Sequence, residues 1–333
     1  MAKLNIGIIG CGRFASNALQ YLLANPLYRV RAACDTINDA AEKIADRAGA
    51  DYHTTDVDRL IDDKAIDAVF VMTRHDSHDS LTVKAANAKK HVFCEKPMAL
   101  SIEGCKSIAK AVNDNGVIYC IGLNRRTAPM VVKARELLSM QKEKKIIYHR
   151  VQEPFPPDHW THDHKIGGGR LVGEGCHSYD MLCELTGSPP VTIYAAGSTF
   201  LDPDIVKAYD SAAVTITFQD ESVCVTIIAS TGNEALPKEA TEIYCGGKAI
   251  IINNFRSMEC YGYEGRQRTE WIFDTVDKGF YIEYDLFAKS VLEGGPSPNG
   301  LTKAARASVI SYKVKESIDT GKPIDICENE YTF

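Results

Sequence analysis

Apolar residues in the first third of the chain come in short unbroken runs. Residues 5–9, 30–34, 68–72, 91–94 and 117–121 are too short for helices and read as strands buried on both faces. Amphipathic stretches lie between them, at 14–24, 39–48, 77–88 and 102–113. Ser101, with an acidic residue close behind it, reads as a helix N-cap. Such alternation predicts right-handed βαβ units in a doubly wound parallel sheet.

The rhythm changes after Arg126. Residues 146–152, 191–200, 212–219, 223–230, 242–245 and 249–253 read as longer strands. Val214-Thr215-Ile216-Thr217-Phe218 alternates apolar with polar residues, the period of an antiparallel sheet covered on one face. Gln219-Asp220-Glu221-Ser222 reads as a hairpin turn, and helices are expected near 281–292 and 301–318. The expected fold is α/β: a parallel sheet over residues 1–123, then an α+β domain with an open, mainly antiparallel sheet over 124–333.

Length and composition agree with two soluble domains: 333 residues, 45% hydrophobic and 25% charged. A net charge of −6 argues against nucleic-acid binding, which needs a basic face. No run approaches the roughly 20 apolar residues that cross a bilayer. The N-terminus enters a strand without a signal-peptide pattern. Eleven scattered cysteines lack a Cys-x-x-Cys pair, so a reducing cytoplasm is the expected compartment.

The candidate chemistry begins at Gly10-Cys11-Gly12-Arg13-Phe14-Ala15, between the first strand and the first helix. Gly10 permits the tight turn, Gly12 lets the backbone approach a pyrophosphate, and Ala15 keeps the helix close to the sheet. The helix N-terminus offers free N–H groups, with Arg13 as an added cation and Phe14 beside it. Asp35 ends the second strand at about the spacing expected of the ribose-binding acid, roughly 20 residues on. Its carboxylate would repel a 2′-phosphate, so NAD is expected over NADP. Downstream, Val92-Phe93-Cys94 runs into Glu95-Lys96-Pro97. A lysine there can aim an ammonium into the crevice where such sheets bind ligands, and the proline stiffens the turn.

On these residues the chain resembles the glucose–fructose oxidoreductase and inositol dehydrogenase (Gfo/Idh/MocA) family, over nearly its whole length. The resemblance implies a Rossmann domain and a cis peptide before Pro97. In the loop from Thr73 to His78 it implies that Thr73 and His78 face the cofactor, with Glu95. Gly122-Leu123-Asn124-Arg125-Arg126 is similar to the family's domain-junction segment, which implies Asn124 near the nicotinamide and Arg125 near the substrate. Trp160, Asp163 and Gly167-Gly168-Gly169, followed by Glu174-Gly175-Cys176-His177-Ser178-Tyr179-Asp180, resemble its histidine-bearing helix. The family's aspartate four residues before that histidine is Gly173 here, with Glu174 the nearest carboxylate. A homodimer or homotetramer through the C-terminal sheet is also implied.

The chemistry expected is hydride transfer between NAD and a secondary alcohol of a sugar, sugar derivative or cyclitol. His177 is the general base, since an ordinary imidazole pKa near 6.5 suits reversible proton transfer. Lys96 stabilises the alkoxide, and Glu174 or Asp180, three residues either side of His177, orients the imidazole or binds a hydroxyl. Trp160 covers the nicotinamide or stacks on a sugar, and His162 and Asp163 line the substrate pocket. The histidines at 159, 162 and 164 lack a metal-ligand spacing, and no metal is expected. Two other functions fit the same residues. One is a redox-neutral glycosidase or lyase working through transient sugar oxidation, and the other a non-catalytic nucleotide sensor.

Overall fold

The computed structural model describes residues 3–333. The chain forms two compact units. The first comprises the chain up to Leu123 with Phe280–Ala305 and Phe333; the second comprises Asn124–Gly279 with Arg306–Thr332.

In the first unit, β1 (Leu4–Ile9), α1 (Arg13–Ala24), β2 (Tyr28–Cys34), α2 (Asn38–Ala48), β3 (Tyr52–Thr54), α3 (Val57–Ile61), β4 (Ala68–Val71), α4 (His78–Asn87), β5 (His91–Cys94), α5 (Ile102–Asn115) and β6 (Tyr119–Ile121) follow in order. The six strands are parallel, in the order β3-β2-β1-β4-β5-β6. Strand order reverses between β1 and β4, so the loops after Ile9 and after Val71 flank the switch point where such sheets bind ligands. All four β4 residues are buried, as expected of a strand covered on both faces. Ser101 does cap α5, accepting the Gly104 N–H at 3.0 Å.

The second unit contains α6 (Pro129–Ser139), β7 (Lys145–Gln152), α7 (Arg170–Gly173), α8 (Gly175–Thr186), β8 (Pro190–Ser198), β9 (Ser211–Phe218), β10 (Val223–Ala229), β11 (Glu239–Cys245), β12 (Lys248–Asn253), β13 (Ser257–Tyr261) and β14 (Arg268–Ile272). The sheet runs β14-β13-β12-β11-β7-β10-β9-β8, with Ile324–Asp325 paired on the β8 edge. Only β7 and β10 are parallel neighbours. The register aligns Ile193, Ile216, Cys224, Ile147, Ile243, Ile250 and Cys260 in one row across seven strands. Each is fully buried. The adjacent row, Ile146, Tyr244, Ala249 and Tyr261, points to the other face, where Ile146 and Tyr244 are exposed. Period-2 alternation thus sets one covered and one open face. Helix α8 packs against β7 and β10.

The helix α9 (Phe280–Glu293) departs from the division expected at residue 124, because it belongs to the first unit. Tyr284 and Phe287 enter an aromatic cluster with Phe70 and Phe93, whose rings stack at 4.9 Å. The Tyr28 hydroxyl donates to the Tyr284 carbonyl. These buried aromatic contacts fix α9 to the first unit.

Candidate functional site

Lys96 stands in the first unit, at the end of β5, and His177 in the second, on α8.

In the first unit the glycine loop closes tightly on its neighbours. Gly10 has φ +91°, and a Cβ there would sit 2.7 Å from the Met72 carbonyl. Gly12 is exposed, with nothing within 4 Å of the place its Cβ would occupy. Helix α1 starts at Arg13 with no side-chain cap and no acidic residue in its first turn. Asp35 accepts the Cys11 N–H at 2.7 Å and the Ile37 N–H at 2.9 Å, so its carboxylate is held at the loop. Burial, with Asp35 beside it, raises the Cys11 thiol to about 12, which leaves that cysteine inert.

The Lys96–Pro97 peptide is cis, as the resemblance implied. Glu95 is buried beneath Gly122, where a Cβ would come within 2.5 Å of its carboxylate. The close approach requires glycine at 122 and packs the Glu95 carboxylate against this strand end. His78 is also turned inward, with its ring between the carbonyls of Pro97 and Thr73. Phe14 packs beside Phe280, ring centroids 6.2 Å apart, which leaves its backbone for a phosphate.

The second unit holds a ladder of alternating charges. Arg125 reaches Glu239 at 3.0 Å and Glu174 at 3.2 Å. Glu174 also pairs with Lys238 at 2.9 Å and Arg170 at 3.8 Å. Glu153 takes Arg170 and Lys238, and Lys278 takes Glu239. Burial alone would raise the Glu174 carboxyl, but Lys238, Arg170 and Arg125 together hold it well below the usual carboxylate range. Glu239, opposed by burial in the same way, is brought to about 2 by Arg125 and Lys278. Burial drops His149, which Thr241 contacts, to about 4. The ladder therefore carries four cations against three carboxylates, with a neutral imidazole.

Glu174 stands at the N-cap position of α8 without a side-chain cap, and the His177 N–H donates to its carbonyl at 3.1 Å. A fixed anion thus lies one turn before the imidazole. Asp180, one of the two carboxylates expected to orient the imidazole or bind a hydroxyl, is engaged in an ion pair. Both its oxygens are held by Arg126, and it is 1% exposed. Asn124 is likewise committed, donating to the Lys278 carbonyl at 2.7 Å and accepting from Arg125 at 3.1 Å. Asp163 is exposed and closes a turn, its carbonyl accepting from Gly167 and Gly168. His162 is buried against the Phe155 ring at 5.3 Å, and burial keeps it toward neutral. Trp160 is half-buried beside His159.

A family model described as an oxidoreductase family with an NAD-binding Rossmann fold matches residues 4–123, and one described as the GFO/IDH/MocA C-terminal domain matches 145–250. The chain belongs to the Gfo/Idh/MocA family. An uncharacterized oxidoreductase of Bacillus subtilis, YrbE, is 29% identical over 97% of both chains. Myo-inositol 2-dehydrogenase of Thermotoga maritima is 24% identical over 98% of this chain and 99% of its own. The structure of a levoglucosan dehydrogenase in complex with NADH shares the fold at a TM-score of 0.87, with 22% identity, covering 98% of this chain and 99% of that one.

The first unit of this Gfo/Idh/MocA protein fits its cofactor, NAD. The uncapped α1 terminus and the open space at Gly12 suit a pyrophosphate, and Asp35 follows the end of β2, held against the glycine loop. Beside Asp35, Ile37 is 64% exposed, an apolar surface suited to an adenine ring. Ile37, Glu153, Arg170, Lys238, Glu239 and Lys278 were absent from the residues singled out in the sequence. An exposed isoleucine just after Asp35 is a usable signal. The charged residues come from separate strands and loops, and no spacing links them. Among the described residues no helix is long and apolar enough to cross a membrane.

Proposed function

We propose that this oxidoreductase transfers hydride between NAD and a secondary alcohol of a sugar, sugar derivative or cyclitol. The observation that carries the reading is Lys96, held at a strand end of the NAD-binding unit by a buried, tightly packed turn. Bound NAD supplies the hydride acceptor. Asp35 accepts the ribose hydroxyls. Lys96 hydrogen-bonds the reacting hydroxyl and stabilises developing alkoxide charge. His177 takes the hydroxyl proton. Glu174, locked as an anion by three cations, is no proton acceptor near neutral pH; it favours the imidazolium that His177 forms. Arg125 holds Glu174 in place, and the half-exposed Glu153 and Lys238 offer hydrogen bonds to further substrate hydroxyls.

The test is a panel of cyclitols, aldoses, sugar acids and glycosides, run with NAD and with NADP. Absorbance at 340 nm and product release are followed together. NADH formed in step with oxidised product is expected. Cleavage without NADH would replace the reading with the redox-neutral lyase, and faster turnover with NADP would remove the role given to Asp35.

The open face of the second sheet presents Ile146, Tyr244 and Ile272, each at least 46% exposed. Ile146 and Tyr244 pair across neighbouring strands; exposed apolar side chains set together in this way mark interaction sites, and we assign this face to self-association as a dimer or tetramer. Ile146→Asp is expected to lower the mass measured by light scattering while leaving the far-UV spectrum intact. A wild-type protein that is already monomeric contradicts the assignment. The ten buried cysteines are all free thiols, in keeping with a reducing cytoplasm; recovery in the membrane pellet on fractionation would contradict that placement.

A further inference from the structure

His78 opens α4, and its ring is fully buried. Nδ1 lies 2.8 Å from the carbonyl oxygen of Pro97, and Nε2 lies 3.2 Å from that of Thr73. Pro97 directly follows Lys96. Thr73 belongs to the loop that leaves β4 on the ligand-binding side of the sheet. One imidazole therefore spans the two segments that flank the proposed chemistry.

Both neighbours of the ring are acceptors, and a neutral imidazole has one N–H to give. The shorter contact, to Pro97, suits the proton. Burial and the nearby Lys96 ammonium favour this neutral form, against the pull of the two carbonyls and of Asp76. The Thr73 side is not slack. Thr73 Oγ1 lies 2.7 Å from Ser77 Oγ, and Ser77 Oγ donates to the Arg74 carbonyl at 2.9 Å. These bonds tie Thr73 to its own loop on the side facing the ring. On the other side, Pro97 and Met98 are buried, so the turn cannot drift into solvent.

We propose that His78 is a positioning residue, which fixes the Lys96 ammonium from behind through the Pro97 carbonyl and ties its placement to the nucleotide loop at Thr73. The inference rests on the assignment of Lys96 to the reacting hydroxyl. It replaces the direct cofactor contact that the family resemblance implied for His78.

Two amide substitutions separate positioning from bulk packing. His78→Asn places an N–H donor where Nδ1 stands, toward Pro97. His78→Gln reaches instead to the place of Nε2, toward Thr73. Both variants and Lys96→Ala are assayed with the best alcohol of the panel, and NAD affinity is read by fluorescence titration. Only protein with a wild-type circular dichroism spectrum at the assay temperature is compared. His78→Asn is expected to retain most of kcat, and His78→Gln to lose on the order of tenfold or more, since small misplacements of reacting groups are costly. KM for NAD should move less than kcat in both. Equal kcat in the two folded amide variants overturns the inference, as does a loss confined to KM for NAD. If neither amide variant folds, the ring is needed for the fold as such and the inference falls. Wild-type turnover by Lys96→Ala would instead remove the underlying assignment, whatever His78 does.

Discussion

Lys96→Ala and His177→Ala each lower kcat by about 10²–10⁴-fold, the range for loss of one general acid–base or charge-stabilising group. NAD still binds both variants, because neither residue belongs to the strand–turn–helix that holds the pyrophosphate. The combined variant falls little further than the worse single one. Groups that act on one oxygen in one step fail together, and their losses do not add. Stopped-flow formation of NADH, with fluorescence titration of NAD on the same samples, checks all three statements. Two single variants with wild-type turnover on every accepted alcohol would end the catalytic proposal and leave a nucleotide sensor. Losses that multiply fully in the double variant would assign the residues to separate steps. Glu174→Gln separates the two electrostatic roles. It removes the anion before α8 but keeps its shape, so the acid limb of the pH–rate profile should move to lower pH. A carboxylate already ionised throughout the assay range contributes no limb of its own.

The elements that carry the cofactor were legible because their signals are local. The apolar runs at 5–9 and 30–34, the glycines after the first and the acid after the second all lie within about 35 residues of the start. The sheet of the second unit was legible for the same reason. Alternation along residues 214–218 fixes which side chains join the buried row. What escaped had no periodicity to show. Strand β3 is three residues long with one of them buried, and β14 carries only exposed or half-buried side chains. The return of α9 escaped for another reason. Tyr284 and Phe287 mark an apolar stripe, but a stripe does not say which core it enters, and the partners Phe70 and Phe93 lie in strands of the first third of the chain. The charge ladder is the same problem in polar form. Arg170, Lys238 and Glu239 each look like surface residues in the sequence, since buried charges are rare unless paired. Their pairing exists only after the chain has folded. Asp180 shows the converse case. Its spacing of three residues from His177 suggested a shared helix face, yet the adjacent Arg126 claims both oxygens.

Arg126→Met is expected to destabilise the protein by about 3–5 kcal/mol, the cost of stripping one partner from a buried ion pair. Arg126 is 3% exposed and holds both Asp180 and Glu184, so its loss leaves a fully buried carboxylate without its cation. Asp180→Asn costs less, because the amide keeps one acceptor for the guanidinium and removes the second charge problem. The combined Arg126→Met, Asp180→Leu variant recovers much of the loss, since a buried pair replaced by apolar side chains of similar volume is often neutral. Urea unfolding followed by fluorescence gives the three midpoints, with the shift read at constant slope. The same variants decide what Asp180 is for. With its oxygens committed to Arg126, Asp180→Asn should keep kcat near wild type at temperatures well below its melting point. A fall in kcat of tenfold or more in folded Asp180→Asn would return the residue to the catalytic machinery and make its pairing with Arg126 the means of orienting His177.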